Sequence, residues 1–317
     1  MNEPRATREG YVEGILRAGE ISDRVAVIEG DVSRSTGSAA FGERYPDRFF
    51  NLGASEQDML GEAAGLALAG FIPFVSTYAV FLTGRAWDQI RTGVCYMDLN
   101  VRLGGAHGGT SVGPDGATHQ ALEDIALMRV LPNMKVLVPA DANQTRASVL
   151  ASLDMEGPVY IRFGRNPVPQ IYGEDEPVVP GRGKLLNEGS DVTIVACGAM
   201  VSRGMRAVEI LNRRGISAGL IDMVSIKPLD EQLLMEHAGH SGNIVVAEDH
   251  QMAGGLFGAV AEFLSRRLPV RIASVSVNDS FGTSGAPSEV MSRYGLTADA
   301  IALEAEGLLK DQAAVAD

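Results

Sequence analysis

A chain of 317 residues, 45% of them hydrophobic, has room for two ordinary domains with buried cores, and 37 glycines against 6% aromatics suit an α/β protein with tight strand–helix turns. A formal net charge of −13 argues against nucleic acid and anionic membrane as partners, because both demand basic patches. The opening residues carry no apolar signal core and no run reaches the length of a membrane span, so a cytoplasmic enzyme or enzyme subunit is expected.

In chain order, residues 5–18 have the spacing of a helix with Tyr11, Ile15 and Leu16 on one side, and residues 25–28 read as a short buried strand. A hydroxyl-rich loop follows at 29–37. Residues 49–52 lead into a helix within the glycine- and alanine-rich stretch 51–70, expected to be buried on most sides, with Glu56 at its mouth. A strand at 72–77 passes through Tyr78 and Phe81 into a helix carrying Arg85, Trp87 and Ile90. After a strand at 100–103 comes a loop, 104–119, that holds six glycines and two of the five histidines, and something else must hold it in place.

A helix at 121–130, a strand at 134–138, a helix at 143–153 and a strand at 159–162 complete a repeated βα pattern, which implies a mainly parallel sheet. Residues 166–188, rich in Pro and Gly, read as a linker between a first domain at 1–165 and a second at 189–317. In the second, strands at 192–197, 217–222, 243–248 and 270–275 alternate with three helices, giving a smaller α/β domain. Cys95 and Cys197 lie in apolar runs without metal or redox spacing and read as buried bystanders.

If the first sheet is parallel, the loops bearing Asp31 to Ser35, Glu56, and His107 to His119 open on one edge and surround glycine-lined space. Each residue also has a plain structural reading. Ser55 or Asp58 could cap the helix with Glu56 merely solvated, Tyr78 and Phe81 could be core, and Asp115 could make a turn while His119 bonds backbone. Arg162 and Arg165 suit phosphate or carboxylate recognition, or a salt bridge to surplus acid. His107 and His119 lack a third ligand at metal spacing, so no metal site is expected. The glycines at 253–258 have the wrong spacing for a dinucleotide loop.

Four stretches in this order, GASEQDMLGEAAGLALAG, STYAVFLTGRAWDQIR, GPDGATHQALED and YIRFGR, together with VVAEDHQMAGGLFG, resemble the C-terminal half of transketolase, its pyrimidine-binding and C-terminal domains. The resemblance covers nearly the whole chain. It implies two α/β domains, each a mainly parallel sheet flanked by helices, and thiamine diphosphate as cofactor. The family's GDG motif, which binds the cofactor diphosphate through Mg²⁺, does not occur here. A partner subunit carrying the N-terminal section and the Mg²⁺ is therefore expected, with two such pairs forming a heterotetramer.

By the same resemblance, Glu56 corresponds to the glutamate that hydrogen-bonds N1′ of the cofactor's aminopyrimidine. Tyr78 and Phe81 correspond to the aromatic wall around that ring, and Asp31 and Val32 to residues near the cofactor across the subunit boundary. His107 and Arg165, with Arg8 and Ser35, correspond to the substrate-phosphate contacts. Asp115 corresponds to a contact to a sugar 2-hydroxyl, and His119 to one at the donor's 1-hydroxyl and carbonyl. Arg162 has no such counterpart and reads as structural. The implied reaction moves a two-carbon ketol unit from a ketose phosphate to an aldose phosphate. Deoxyxylulose-phosphate synthase, the β subunits of 2-oxo acid dehydrogenases and a non-catalytic assembly relative are the competing readings. The first does not usually place a histidine at position 107, and the second lack the DGATHQ stretch.

Overall fold

A computed structural model describes residues 3–316 and contains two open sheets and a two-stranded ribbon. The first sheet has seven strands in the spatial order Ser225–Lys227, Lys135–Leu137, Val159–Phe163, Arg102–Ala106, Ile72–Tyr78, Val25–Glu29 and Phe49–Asn51. Six are parallel; Ser225–Lys227, which comes from the second half of the chain, runs antiparallel on the edge. The strands Val25–Glu29, Arg102–Ala106 and Val159–Phe163 are buried at every position, as parallel strands covered on both faces must be.

Helix Thr7–Ile21 follows the expected spacing, with Tyr11, Ile15 and Ala18 fully buried at intervals of four and three. It packs against helix Ala142–Ser152 through Gly10 and Gly14, where any Cβ would strike the Ala142 carbonyl and the Val149 side chain. Helix Glu56–Leu68 is shorter than the 51–70 stretch. Burial on most sides is not observed: Met59, Leu60 and Ala63 face the core, while Gly61, Gly65 and Leu68 lie open on the other side.

The second sheet has the order Arg271–Val277, Asn243–Gln251, Val192–Ala196, Ala218–Asp222 and Lys184–Asn187, with the last strand antiparallel. Helices Met200–Arg213, Glu231–Ser241, Leu256–Arg267, Pro287–Arg293 and Ala298–Ala316 accompany it. Two strands fall inside the expected linker: Pro167–Val168 pairs with Arg5–Ala6, and Lys184–Asn187 joins the second sheet. The two regions share one buried cluster, in which Val136 and Met128 of the first meet Val195, Ile221 and Val246 of the second. Cys95 and Cys197 are free and buried.

Candidate active site

Five parallel strands of the first sheet end at Glu29, Asn51, Tyr78, Ala106 and Phe163, and the expected site residues lie at or just past these ends, with Arg8 entering from the start of helix Thr7–Ile21. The chain passes from Val25–Glu29 to its neighbour Phe49–Asn51 on one side and then to Ile72–Tyr78 on the other. The order therefore reverses between the strands ending at Glu29 and Tyr78, and such a reversal opens a crevice beyond the carboxyl ends. Ser35 Oγ and Tyr78 Oη bridge it at 2.8 Å.

Glu56 is the first residue of its helix and only 2% exposed. Ser55 does not cap the helix; its hydroxyl donates to the Leu52 carbonyl at 3.0 Å. The Glu56 carboxylate instead accepts a bond from Arg85 Nη1 at 2.6 Å on Oε2. The same guanidinium lies 4.6 Å from the Phe81 ring centre, a cation–π contact one helical turn away. From sequence Arg85 is only a helix residue without a role; its position four residues after Phe81 is the signal that marks it.

Tyr78 and Phe81 form a wall, with ring centres 6.1 Å apart and planes inclined by 22°. His119 meets both rings edge-on, at 5.8 Å and 5.2 Å, and His107 tilts against Tyr78 at 4.5 Å. His119 Nδ1 pairs with the Thr118 hydroxyl at 2.9 Å. Asp115 meets Arg165 Nη1 at 3.2 Å.

His107 carries several signs of a ligand-binding residue. Its backbone is left-handed, with φ of 61°, and its ring is 1% exposed with neither nitrogen hydrogen-bonded. Burial first, then the charges of Arg165 and Arg8, lowers its pKa to about 4. Arg8 also donates to the Ser35 carbonyl at 2.9 Å, so Arg8, Ser35, Tyr78 and His107 form one polar group. Two arginines around an unsatisfied imidazole can receive an anion, and the flat wall beside a buried carboxylate can receive a heteroaromatic ring.

Asp31 is exposed and left-handed, with φ of 62°, and its N–H donates to Asn51 Oδ1 at 3.0 Å. The Val32 N–H donates to Glu29 Oε2 at 2.8 Å. Glu29 is fully buried, also accepts from the Thr36 hydroxyl at 3.1 Å, and is pushed up by burial to a pKa of about 7. Glu29 and Asn51 thus frame the loop; neither was singled out, although a carboxylate ending an apolar strand is itself a signal.

The 104–119 loop is held from the second region. Asp249 accepts from the Thr110 N–H at 2.9 and 3.1 Å and from its hydroxyl at 2.9 Å. Gly109, with φ of 85°, lies so close that a Cβ would collide with that carboxylate. Arg162 is structural, as read: it makes a two-point contact with Asp124 at 2.7 and 3.1 Å and donates to the Ala121 and Asp249 carbonyls, both at 2.9 Å. At the glycines of 253–258, the Glu248 carboxylate accepts from the Leu256 and Phe257 N–H groups at 2.7 and 2.9 Å. The chain's own carboxylate therefore fills the place of an anion there. Among the described residues, no group of three or more His, Cys, Asp or Glu could hold a metal, and no helix is long and apolar enough to cross a membrane.

Residues 3–170 match the transketolase pyrimidine-binding domain family, and residues 181–301 the transketolase C-terminal domain family. A putative transketolase C-terminal section of Methanocaldococcus jannaschii is 42% identical, covering 94% of this chain and 94% of that one. A 6-deoxy-6-sulfo-D-fructose transketolase subunit of Clostridium sp. (strain MSTE9) is 37% identical over 93% of this chain and 91% of its own length. Among solved structures, a split-gene transketolase described as an inactive beta4 tetramer superposes with a TM-score of 0.89 at 45% identity, over 97% of this chain and 99% of that one.

Proposed function

The chain belongs to the transketolase family, whose members depend on thiamine diphosphate, and we propose that it is the C-terminal section of a two-subunit transketolase. Its reaction is transfer of a two-carbon ketol unit from a ketose phosphate to an aldose phosphate. The observation that carries this reading is the 2%-exposed Glu56 carboxylate beside the Tyr78 and Phe81 wall.

In this reading Glu56 shares a proton with N1′ of the cofactor's aminopyrimidine, and Tyr78 and Phe81 bound the ring. Arg85 holds Oε2, which would leave Oε1 to pair with the ring nitrogen. Asp31 and Val32 flank the cofactor from the loop framed by Glu29 and Asn51. When bound, the cofactor supplies the nucleophilic carbon and the electron sink for breaking and remaking the carbon–carbon bond. The chain's own groups bind, orient and move protons: His119 at the donor's 1-hydroxyl and carbonyl, Asp115 at a sugar 2-hydroxyl. Arg165, Arg8, Ser35 and His107 hold the substrate phosphate. A dianion there would raise the depressed pKa of His107 and satisfy its unpartnered nitrogens.

The partner in this proposal is an N-terminal section that binds Mg²⁺ and the cofactor diphosphate, in a cytoplasmic heterotetramer of two such pairs. Two observations support it: similarity along nearly the full length of a putative transketolase C-terminal section and of a split-gene transketolase chain, and the open Gly61, Gly65 and Leu68 side of the Glu56 helix. Mixing the chain with that section, thiamine diphosphate and Mg²⁺ tests the reading. Ketol transfer that appears only in the mixture supports it; transfer by neither the mixture nor the separate chains overturns it.

A further inference from the structure

The second sheet follows the same topological rule as the first. From Val192–Ala196 the chain moves through helix Met200–Arg213 to Ala218–Asp222 on one side, then through helix Glu231–Ser241 to Asn243–Gln251 on the other. The order reverses between Val192–Ala196 and Asn243–Gln251, so a ligand crevice is due beyond their carboxyl ends. A cavity of about 550 Å³ lies there, lined by Gly198, Ser202, Arg203, Arg206 and Asp249, and by Ser111 of the first region. That size is ordinary for a small-molecule site. Glu56, Tyr78, Phe81, His119 and the candidate phosphate contacts Arg8, His107 and Arg165 take no part in its lining, but Thr7, Gly108 and Gly164 do, so the cavity adjoins the candidate active site without containing its side chains.

The charge of the cavity is poorly matched from within. Arg203 donates to the Ala199 carbonyl at 3.0 Å and to Met291 Sδ at 2.9 Å, and among the described residues no carboxylate lies within ion-pair distance of it. Burial lowers its pKa, and the charge of Asp249 on the cavity wall, beyond ion-pair distance, offsets that only in part. Arg206, three residues on and exposed, has only a 3.4 Å contact with Glu209. Arg162 on the wall is already paired with Asp124, which leaves the Asp249 carboxylate, held by the uncharged donors of Thr110, as the acidic group facing two arginines. Two guanidinium groups at successive turns of one helix edge thus line the cavity and can receive an anion, with the Ser202 hydroxyl preceding them on the same helix.

We propose that this cavity is a second, non-catalytic binding site for a small phosphorylated metabolite, whose phosphate is held by Arg203 and Arg206. The inference does not rest on the ketol-transfer reading, because binding is measured on the full chain without cofactor or partner. Calorimetric titration with inorganic phosphate and with glycerol 3-phosphate is compared for the wild type, Arg165→Ala, Arg206→Glu and Arg203→Ala. The expected result is binding that survives Arg165→Ala, weakens at least about tenfold in Arg206→Glu and is lost in Arg203→Ala. Arg206 is exposed, so its variant keeps the test decisive even if Arg203→Ala disturbs the fold. No binding by the wild type at millimolar ligand, or binding lost in Arg165→Ala but unchanged in Arg206→Glu, overturns the proposal.

Discussion

Arg85 Nη1 lies 2.6 Å from Glu56 Oε2, joining a half-exposed guanidinium to a carboxylate that is otherwise closed off from water. The pair should couple energetically. In urea denaturation of the isolated chain, Glu56→Gln and Arg85→Ala should be non-additive by about 1 kcal/mol, the scale of an ion pair with one screened partner. Additive effects would mean that the contact contributes no stability.

Arg165 should act on substrates according to their phosphate. In the reconstituted complex, Arg165→Ala should raise KM for phosphorylated sugars by roughly 10- to 100-fold with kcat little changed, the pattern of lost uniform binding. KM for unphosphorylated sugars should stay near the wild-type value. Equal increases for both would remove phosphate recognition from this residue.

His107 should leave a mark on the pH dependence of stability. Its folded pKa, about 4, lies below the ordinary histidine value, so between pH 4 and 6.5 the unfolded chain binds more protons and this residue makes stability rise with pH. Glu29 acts in the opposite sense, because its raised value of about 7 makes stability fall as pH climbs from 4.5 to 7. His107→Gln should therefore flatten the rise on the acid side by roughly 2 kcal/mol, read by urea denaturation across pH 4 to 7. An unchanged slope would contradict the depressed pKa.

Gly65 offers a test of the partner face. A Cβ there meets nothing within 4 Å, and Gly in a helix interior costs about 1 kcal/mol relative to better helix formers. Gly65→Met should leave the isolated chain as stable or slightly more stable, while weakening its association with the N-terminal section in analytical ultracentrifugation. Undiminished association would place the partner elsewhere.

The alternation of apolar strands and amphipathic helices made the sheet-forming segments legible, because burial on both faces leaves near-continuous apolar runs such as Val25–Glu29. What escaped was set by distance in sequence. Ser225–Lys227 and Lys184–Asn187 are short edge strands whose partners fix them, and Asp249 pins Thr110 across 139 positions. Arg162 illustrates the boundary: its structural role was readable, but its partner Asp124 and its hold on the Asp249 carbonyl were not. The candidate site was legible as a set of strand-end residues; the contacts of Arg85 to Glu56 and of Asp115 to Arg165 required the fold.

The most direct test of the account is ketol transfer by the reconstituted complex carrying Glu56→Ala, measured beside wild type at saturating thiamine diphosphate and Mg²⁺. The account predicts that kcat falls by at least about 100-fold, since a positioned proton-transfer group contributes on the order of 10²–10⁴ in rate, while the subunits still associate. Full activity in the Glu56→Ala complex would contradict it.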